Sequence, residues 1–211
     1  MDEALEHAWQ RLVAPLGVPG PDAGRALDSL AGRYCEPHRT YHTLSHVRHV
    51  LATVDMLLAQ GEPADDPTAI RLAAWFHDAV YDPRAADNEE ASARLAASEL
   101  TDLGVAPARV HAVVDLVLAT ENHVAATPDQ RVLVDADLAI LAADPATYGI
   151  YTRAVRVEYA WLPEADWRAG RLTFLQRMLE RERIYVTPAM RLRGEPAARD
   201  NLQSERRRLL A

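Results

Sequence analysis

In RLAAWFHDAVYDP, residues 71–83, an apolar run with Leu72, Trp75 and Phe76 at helical spacing leads straight into His77 and Asp78. A carboxylate placed directly behind the bulkiest residues of a core helix must be compensated, because burying it alone and ionised is very costly. Similar groups recur along the chain. His38, His42, His46 and His49 crowd one loop–helix junction, His111 and His123 bracket another apolar stretch, and VLVDADLAIL holds Asp135 and Asp137 among apolar residues. Three helices thus carry ionisable groups on otherwise buried faces, and one shared divalent cation would compensate all three, since imidazole and carboxylate are the usual ligands of first-row metals. Neighbouring residues on a helix point about 100° apart, so His77 and Asp78 can flank one ion. His46 and one of the two later aspartates approach it from other helices.

Other chemistries lack their residues. With no lysine among the 23 basic residues, a phosphate loop ending in Lys-Ser/Thr is impossible. There is no Gly-rich dinucleotide turn, no HExxH and no GxSxG, and the single Cys35 excludes an internal disulfide. A net charge of −8 argues against a nucleic-acid polymer or an anionic membrane as partner. The opening MDEALEHAWQ has neither a basic nor an apolar signal region, and no apolar run approaches the ~20 residues of a membrane span. A cytoplasmic protein is expected.

The elements that must position these residues read as helices. The composition is 49% apolar with only 9 glycines, and β-branched residues never run together for long. The spacing predicts about nine or ten helices, over 3–14, 22–34, a segment from Thr43 to Gly61, DDPTAIRLAAWFHDAV, ADNEEASARLAASELTDLG, 106–121, 128–143, 145–162, 164–183 and 196–209. No linker or repeat divides them. The expectation is one all-α domain over 1–211, with a metal-site core at about 36–143 and C-terminal helices over about 144–211.

The order His46, His77-Asp78, then a distant Asp resembles the HD superfamily of metal-dependent phosphohydrolases. YHTLSHV, WFHDAVYDP, DNEEASA, ATENH, DADLAIL, VRVEY and RERIYVT extend the likeness from about Glu36 to Glu205, to a family of small bacterial predicted HD hydrolases. The resemblance implies an HD-like helical fold with His46, His77, Asp78 and Asp137 as metal ligands. Asp137 is preferred to Asp135 for its Ala-Asp-Leu setting. Glu89 or Glu90 and His123 stand where many such enzymes place ligands of a second metal.

It also implies hydrolysis of a small phosphorylated metabolite, with a nucleotide the leading class, by metal-activated water. The ion could be Mn, Mg, Fe, Co, Ni or Zn. Asp78, Asp82 and Glu90 are the candidate proton-transfer groups, and His42, Arg39, Arg84 and Arg156 the candidate substrate contacts, with Arg171 a further phosphate-clamp candidate. Acids in a first helical turn, such as Glu89 and Glu90, are also favoured by the helix dipole alone. A monomer or homodimer is expected. The alternatives are an HD-fold di-iron oxygenase and a metal- or nucleotide-binding module without turnover.

Overall fold

Proline starts helices in this chain rather than breaking them. Pro21, Pro67, Pro107, Pro128, Pro145, Pro188 and Pro196 each occupy one of the first two positions of a helix, where the missing N–H costs nothing. The computed structural model describes residues 3–211. Among them run α1 (Glu3–Val13), α2 (Gly20–Tyr34), α3 (Leu44–Ala59), α4 (Pro67–Phe76), α5 (Asn88–Asp102) and α6 (Pro107–Asn122). Next come α7 (Pro128–Asp137), α8 (Pro145–Glu158), α9 (Glu164–Glu180), α10 (Pro188–Arg193) and α11 (Glu195–Leu210). The protein is all-α: the described residues contain no strand, and none of their helices is long and apolar enough to cross a membrane. Side chains of Thr43, Asp66, Thr127, Asp144 and Thr187 accept from backbone N–H groups at the starts of α3, α4, α7, α8 and α10.

α4 is the axis of the core. Ala69, Ile70, Leu72, Ala73, Ala74, Trp75 and Phe76 are all fully buried, and beyond the first turn only Arg71 reaches solvent. α3, α6 and α7 pack along it, and Trp9 of α1 meets Trp75 edge-on, ring centroids 5.4 Å apart. A helix whose last turn is buried on all sides carries the residues beyond it into the protein interior. In α4 those residues are His77 and Asp78.

The helix stops there, although the apolar pattern continues to Val80. Arg39, whose side chain is fully buried, donates to the carbonyls of Asp78 at 2.7 Å, Ala79 at 3.1 Å and His42 at 3.1 Å. The Asp78 and Ala79 carbonyls belong to the turn just beyond α4 and the His42 carbonyl to the loop before α3, and the guanidinium satisfies all three in one place. The expected helix over 128–143 is likewise divided. α7 ends at Asp137 and a 3₁₀ turn covers Leu138–Ala142, where Tyr185 donates to the Leu138 carbonyl and Asn201 to those of Leu141 and Ala143. α10 is an element the helical spacing does not reveal, being one and a half turns long.

Carboxylates tie the loops to this frame. Asp129 accepts from the N–H groups of Asp65 and Asp66, and Glu195 from those of Ile184 and Tyr185. Asp135 is fully buried and accepts from Val186 N, Thr187 N and the Thr187 hydroxyl at 2.6–3.1 Å. Its role is to anchor the segment that enters α10. Replacing Asp135 with Ala would orphan two backbone donors, each at about 1–3 kcal/mol. Urea unfolding of Asp135→Ala is expected to show that loss, while the native fraction keeps wild-type metal content.

Candidate metal centre

Helices distant in sequence bring the ionisable groups together. His46 lies in the first turn of α3, His77 and Asp78 stand directly behind α4, and Asp137 is the last residue of α7. His46 Nε2 is 3.0 Å from His77 Nε2, 3.3 Å from Asp78 Oδ2 and 3.2 Å from Asp137 Oδ1. His77 Nε2 is 3.1 Å from Asp78 Oδ2 and 3.6 Å from Asp137 Oδ1. Ligand atoms of His46, His77 and Asp137 all lie within 4.8 Å of one another, a cluster that could hold a metal ion. Donors about 2.1 Å from one ion stand roughly 3.0–3.4 Å apart, so these spacings suit a common cation.

The tautomers agree with that use. His77 Nδ1 is 3.0 Å from the carbonyl of Ala74, which can only accept, so Nδ1 carries a hydrogen and Nε2 is the nitrogen turned to the cluster. Both imidazoles are almost fully buried, at 4% and 1% exposure, and His46 Nδ1 has no partner among the described residues. Burial opposes ionisation of Asp78, yet His77, His42 and His46 hold it well below the usual carboxylate range. Asp137 is likewise held down against burial by His123, His46 and His77. In return, Asp137 and Asp78 raise His46 and His77 although burial alone would lower both.

Asp137 has a second face. Its Oδ2 is 3.0 Å from Nε2 of His123, the residue that ends α6 in the left-handed conformation at φ 51°. No other described non-glycine residue has positive φ, and such backbone costs roughly 1–2 kcal/mol for a residue with a side chain. Arg181 holds it there by donating to the carbonyls of Asn122 at 2.7 Å and His123 at 3.1 Å.

Above the cluster opens a cavity of ≈ 390 Å³, with Asp78, Asp137, His42 and His123 on its floor and walls. His42 is fixed by a residue of the VRVEY segment to which the motif reading gave no role. Glu158, 4% exposed at the end of α8, accepts from the N–H groups of Thr40, Tyr41 and His42 at 2.7–3.0 Å. Its other oxygen takes His42 Nδ1 at 2.7 Å and the Tyr81 hydroxyl at 3.1 Å. Burial would raise Glu158, but His42 and the backbone donors bring it down to about 2. A signal was present: Glu158 falls at a helical step from Tyr151 and Val155 on a buried face, as Asp137 does in its own segment.

Several expected site residues serve elsewhere. Arg39, its side chain fully buried, is bonded to the carbonyls of His42, Asp78 and Ala79 and is not among the residues lining the cavity. Asp82 accepts from Arg84 N in an exposed turn that Asn88 pins, so it stays outside the cavity. Arg84 stacks on Trp161, while Arg156 pairs with Glu164 and the Tyr159 carbonyl. Glu90 is exposed beside Arg94, and its neighbour Glu89 is the one that lines the cavity. Burial and the Asp78 and Glu121 carboxylates push Glu89 up. Arg171 reaches the cavity wall but is paired bidentately with Glu205. The guanidinium on that wall with no partner among the described residues is Arg177, which no motif marked.

No family model, curated protein or solved structure matches the chain. The chemistry open to the site therefore rests on its geometry.

Two outcomes are expected. A cation at the cluster would offset the burial of Asp78 and Asp137, so chelation should lower the melting temperature and added Mn²⁺ restore it; His77→Ala and Asp137→Ala should abolish that response. Glu158, depressed in the fold, stabilises above its unfolded value near ~4.3, and that contribution is lost as pH falls towards 2. Acid-unfolding curves of wild type and Glu158→Gln should therefore converge as pH falls below ~4, and their failure to do so would remove this role.

Proposed function

We propose that the protein is an HD-type metal-dependent phosphohydrolase acting on a small phosphorylated metabolite. The observation that carries the reading is the meeting of His46, His77, Asp78 and Asp137 at 3.0–3.6 Å under one cavity, from segments far apart in the chain. They meet in the order in which the HD resemblance names them. A divalent ion held there would lower the pKa of water and draw charge from a phosphoryl oxygen.

The chain's own residues supply the rest. His46, His77, Asp78 and Asp137 would hold the ion at the floor of the cavity. Ionised Glu158 can only accept, so His42 Nδ1 donates to it and Nε2 is left as the exchangeable site facing the cavity. From Nε2 a proton can pass to the oxygen of a departing alcohol, and Tyr81 and three backbone N–H groups keep Glu158 from following His42 as it moves. Tyr41 packs against both His42 and His46, ring centroids 4.9 Å apart in each case, and shields the pair from bulk water.

A second reading has one observation in its favour. Asp137 turns one oxygen to His46 and His77 and the other to His123, an arrangement that suits two ions, with Glu89 nearby. Two redox-active ions would suit an oxygenase instead. Oxygen uptake and a stoichiometry of two irons per chain would favour that reading over hydrolysis.

The test pairs metal analysis with phosphate release in the same preparations. Asp78→Ala and His77→Ala should lose both metal and turnover. His42→Ala should keep the metal and lower kcat by roughly 10²-fold or more, as loss of a proton donor does. Glu158→Gln should cost about 10–100-fold, the usual effect of removing a group that orients another. Metal-replete wild type that releases no phosphate from nucleotides or sugar phosphates would refute the proposal.

A further inference from the structure

The polar side chains that line the cavity are mostly engaged within the fold. Arg171 is paired with Glu205, Asn88 with the backbone of Asp82 and Thr120 with the Val117 carbonyl. Among the hydroxyls, Tyr81 donates to Glu158, Tyr159 pairs with Tyr81, and Tyr151 accepts from Arg171. Arg177 has no partner among the described residues, but it is exposed. The lining hydroxyl left without a partner is that of Tyr41. Tyr41 uses its N–H on Glu158 at 2.7 Å and its carbonyl on Thr43 N at 2.8 Å, while its hydroxyl has no hydrogen bond among the described residues.

The ring is held from three sides, its centroid 4.9 Å from His42, 4.9 Å from His46 and 4.7 Å from Tyr151. Burial and then Tyr151, Asp137, Asp78 and Glu158 act on the hydroxyl and push it well above the usual phenol range, so it keeps its hydrogen. Those groups belong to the metal cluster and to the His42 support. The second depression that Tyr41 borders, beside Ile150 and Ala154, contains no carboxylate. The hydroxyl therefore lies on the cavity side. An oxyanion drawn there by a metal ion would meet Asp78, Glu89, Glu121 and Asp137. A fixed cation beside it would be captured by such carboxylates, as Arg171 is by Glu205. A phenol is not, and Asp78 and Asp137 are already engaged by imidazoles at 3.0–3.6 Å. A neutral donor held in place in this way stabilises charge as it grows on an oxygen.

We propose that Tyr41 is a catalytic residue whose hydroxyl donates to an oxyanion bound beside the metal cluster, in hydrolysis a phosphoryl oxygen of the substrate. Its part in turnover rests on the phosphohydrolase reading, and the oxyanion contact does not.

Tyr41→Phe removes one oxygen and keeps the ring that packs on His42 and His46, so melting temperature and metal content should stay at wild-type values. Inorganic phosphate, which has no ester to cleave, tests the contact by itself. Titration calorimetry of Mn²⁺-loaded protein should show phosphate binding to wild type, weakened at least ~10-fold in Tyr41→Phe, as loss of a bond to a charged group does. In phosphate release, Tyr41→Phe should lower kcat about 10-fold or more and kcat/KM by more than it lowers phosphate affinity, because the bond strengthens as charge develops. A higher KM with unchanged kcat would refute the catalytic role. Wild type that binds no phosphate, or Tyr41→Phe that binds it equally well, overturns the oxyanion contact. Phosphate binding weakened by Tyr41→Phe in a protein that releases phosphate from no ester supports the contact and refutes the phosphohydrolase reading together with the catalytic role.

Discussion

Asp78 and Asp137 are ionised carboxylates set at the edge of a hydrocarbon core, and both must be neutralised where they stand. Two buried imidazoles do so at 3.1–3.6 Å. The requirement constrains the surrounding fold. The last turn of α4 must be buried on all sides to deliver His77 inward, α3 must start with His46 close enough to share the carboxylates, and α7 must end at Asp137. Removing one partner would leave a buried charge without its counter-charge, which couples the cluster to the packing of α3, α4 and α7.

A second device recurs wherever a loop meets this frame. Asp129, Asp135, Glu158 and Glu195 each receive two or three backbone N–H groups from a segment outside their own helix. Irregular backbone cannot pair with itself as a helix does, and a carboxylate with several lone pairs satisfies it in a small volume. The acidic composition thus has a structural use besides solubility. At Glu158 the same device serves the site, since the carboxylate that gathers the N–H groups of Thr40, Tyr41 and His42 also orients the His42 ring.

Arginine shows the converse. Arg39, Arg181 and Arg199 donate mainly to backbone carbonyls, where helices end or loops turn. A planar guanidinium with five donors can close several such carbonyls at once, which an ammonium point charge does less well. Arginine near the site is therefore a poor guide to substrate contact. Arg39, Arg84 and Arg156 are absorbed into caps, stacking and ion pairs, while Arg177 alone of the cavity-lining guanidiniums lacks a partner among the described residues.

Helical periodicity, proline placement and side-chain caps are local properties, and from them the all-α architecture and most helix starts were legible. Ionisable residues on apolar faces were legible too, because a charge in a hydrophobic stripe violates the pattern around it; that signal pointed to His46, His77, Asp78 and the Asp135/Asp137 pair. Which aspartate meets the imidazoles was not local. They are two residues apart, so α7 turns Asp137 to the cluster and Asp135 to Val186 and Thr187, and only the packing of α7 decides which is which. The ends of α4 and α7, the partnership of Glu158 with His42 and the freedom of Arg177 were decided by tertiary structure for the same reason. Each depends on which distant polar group arrives to satisfy a donor or acceptor, and sequence spacing carries no record of that arrival.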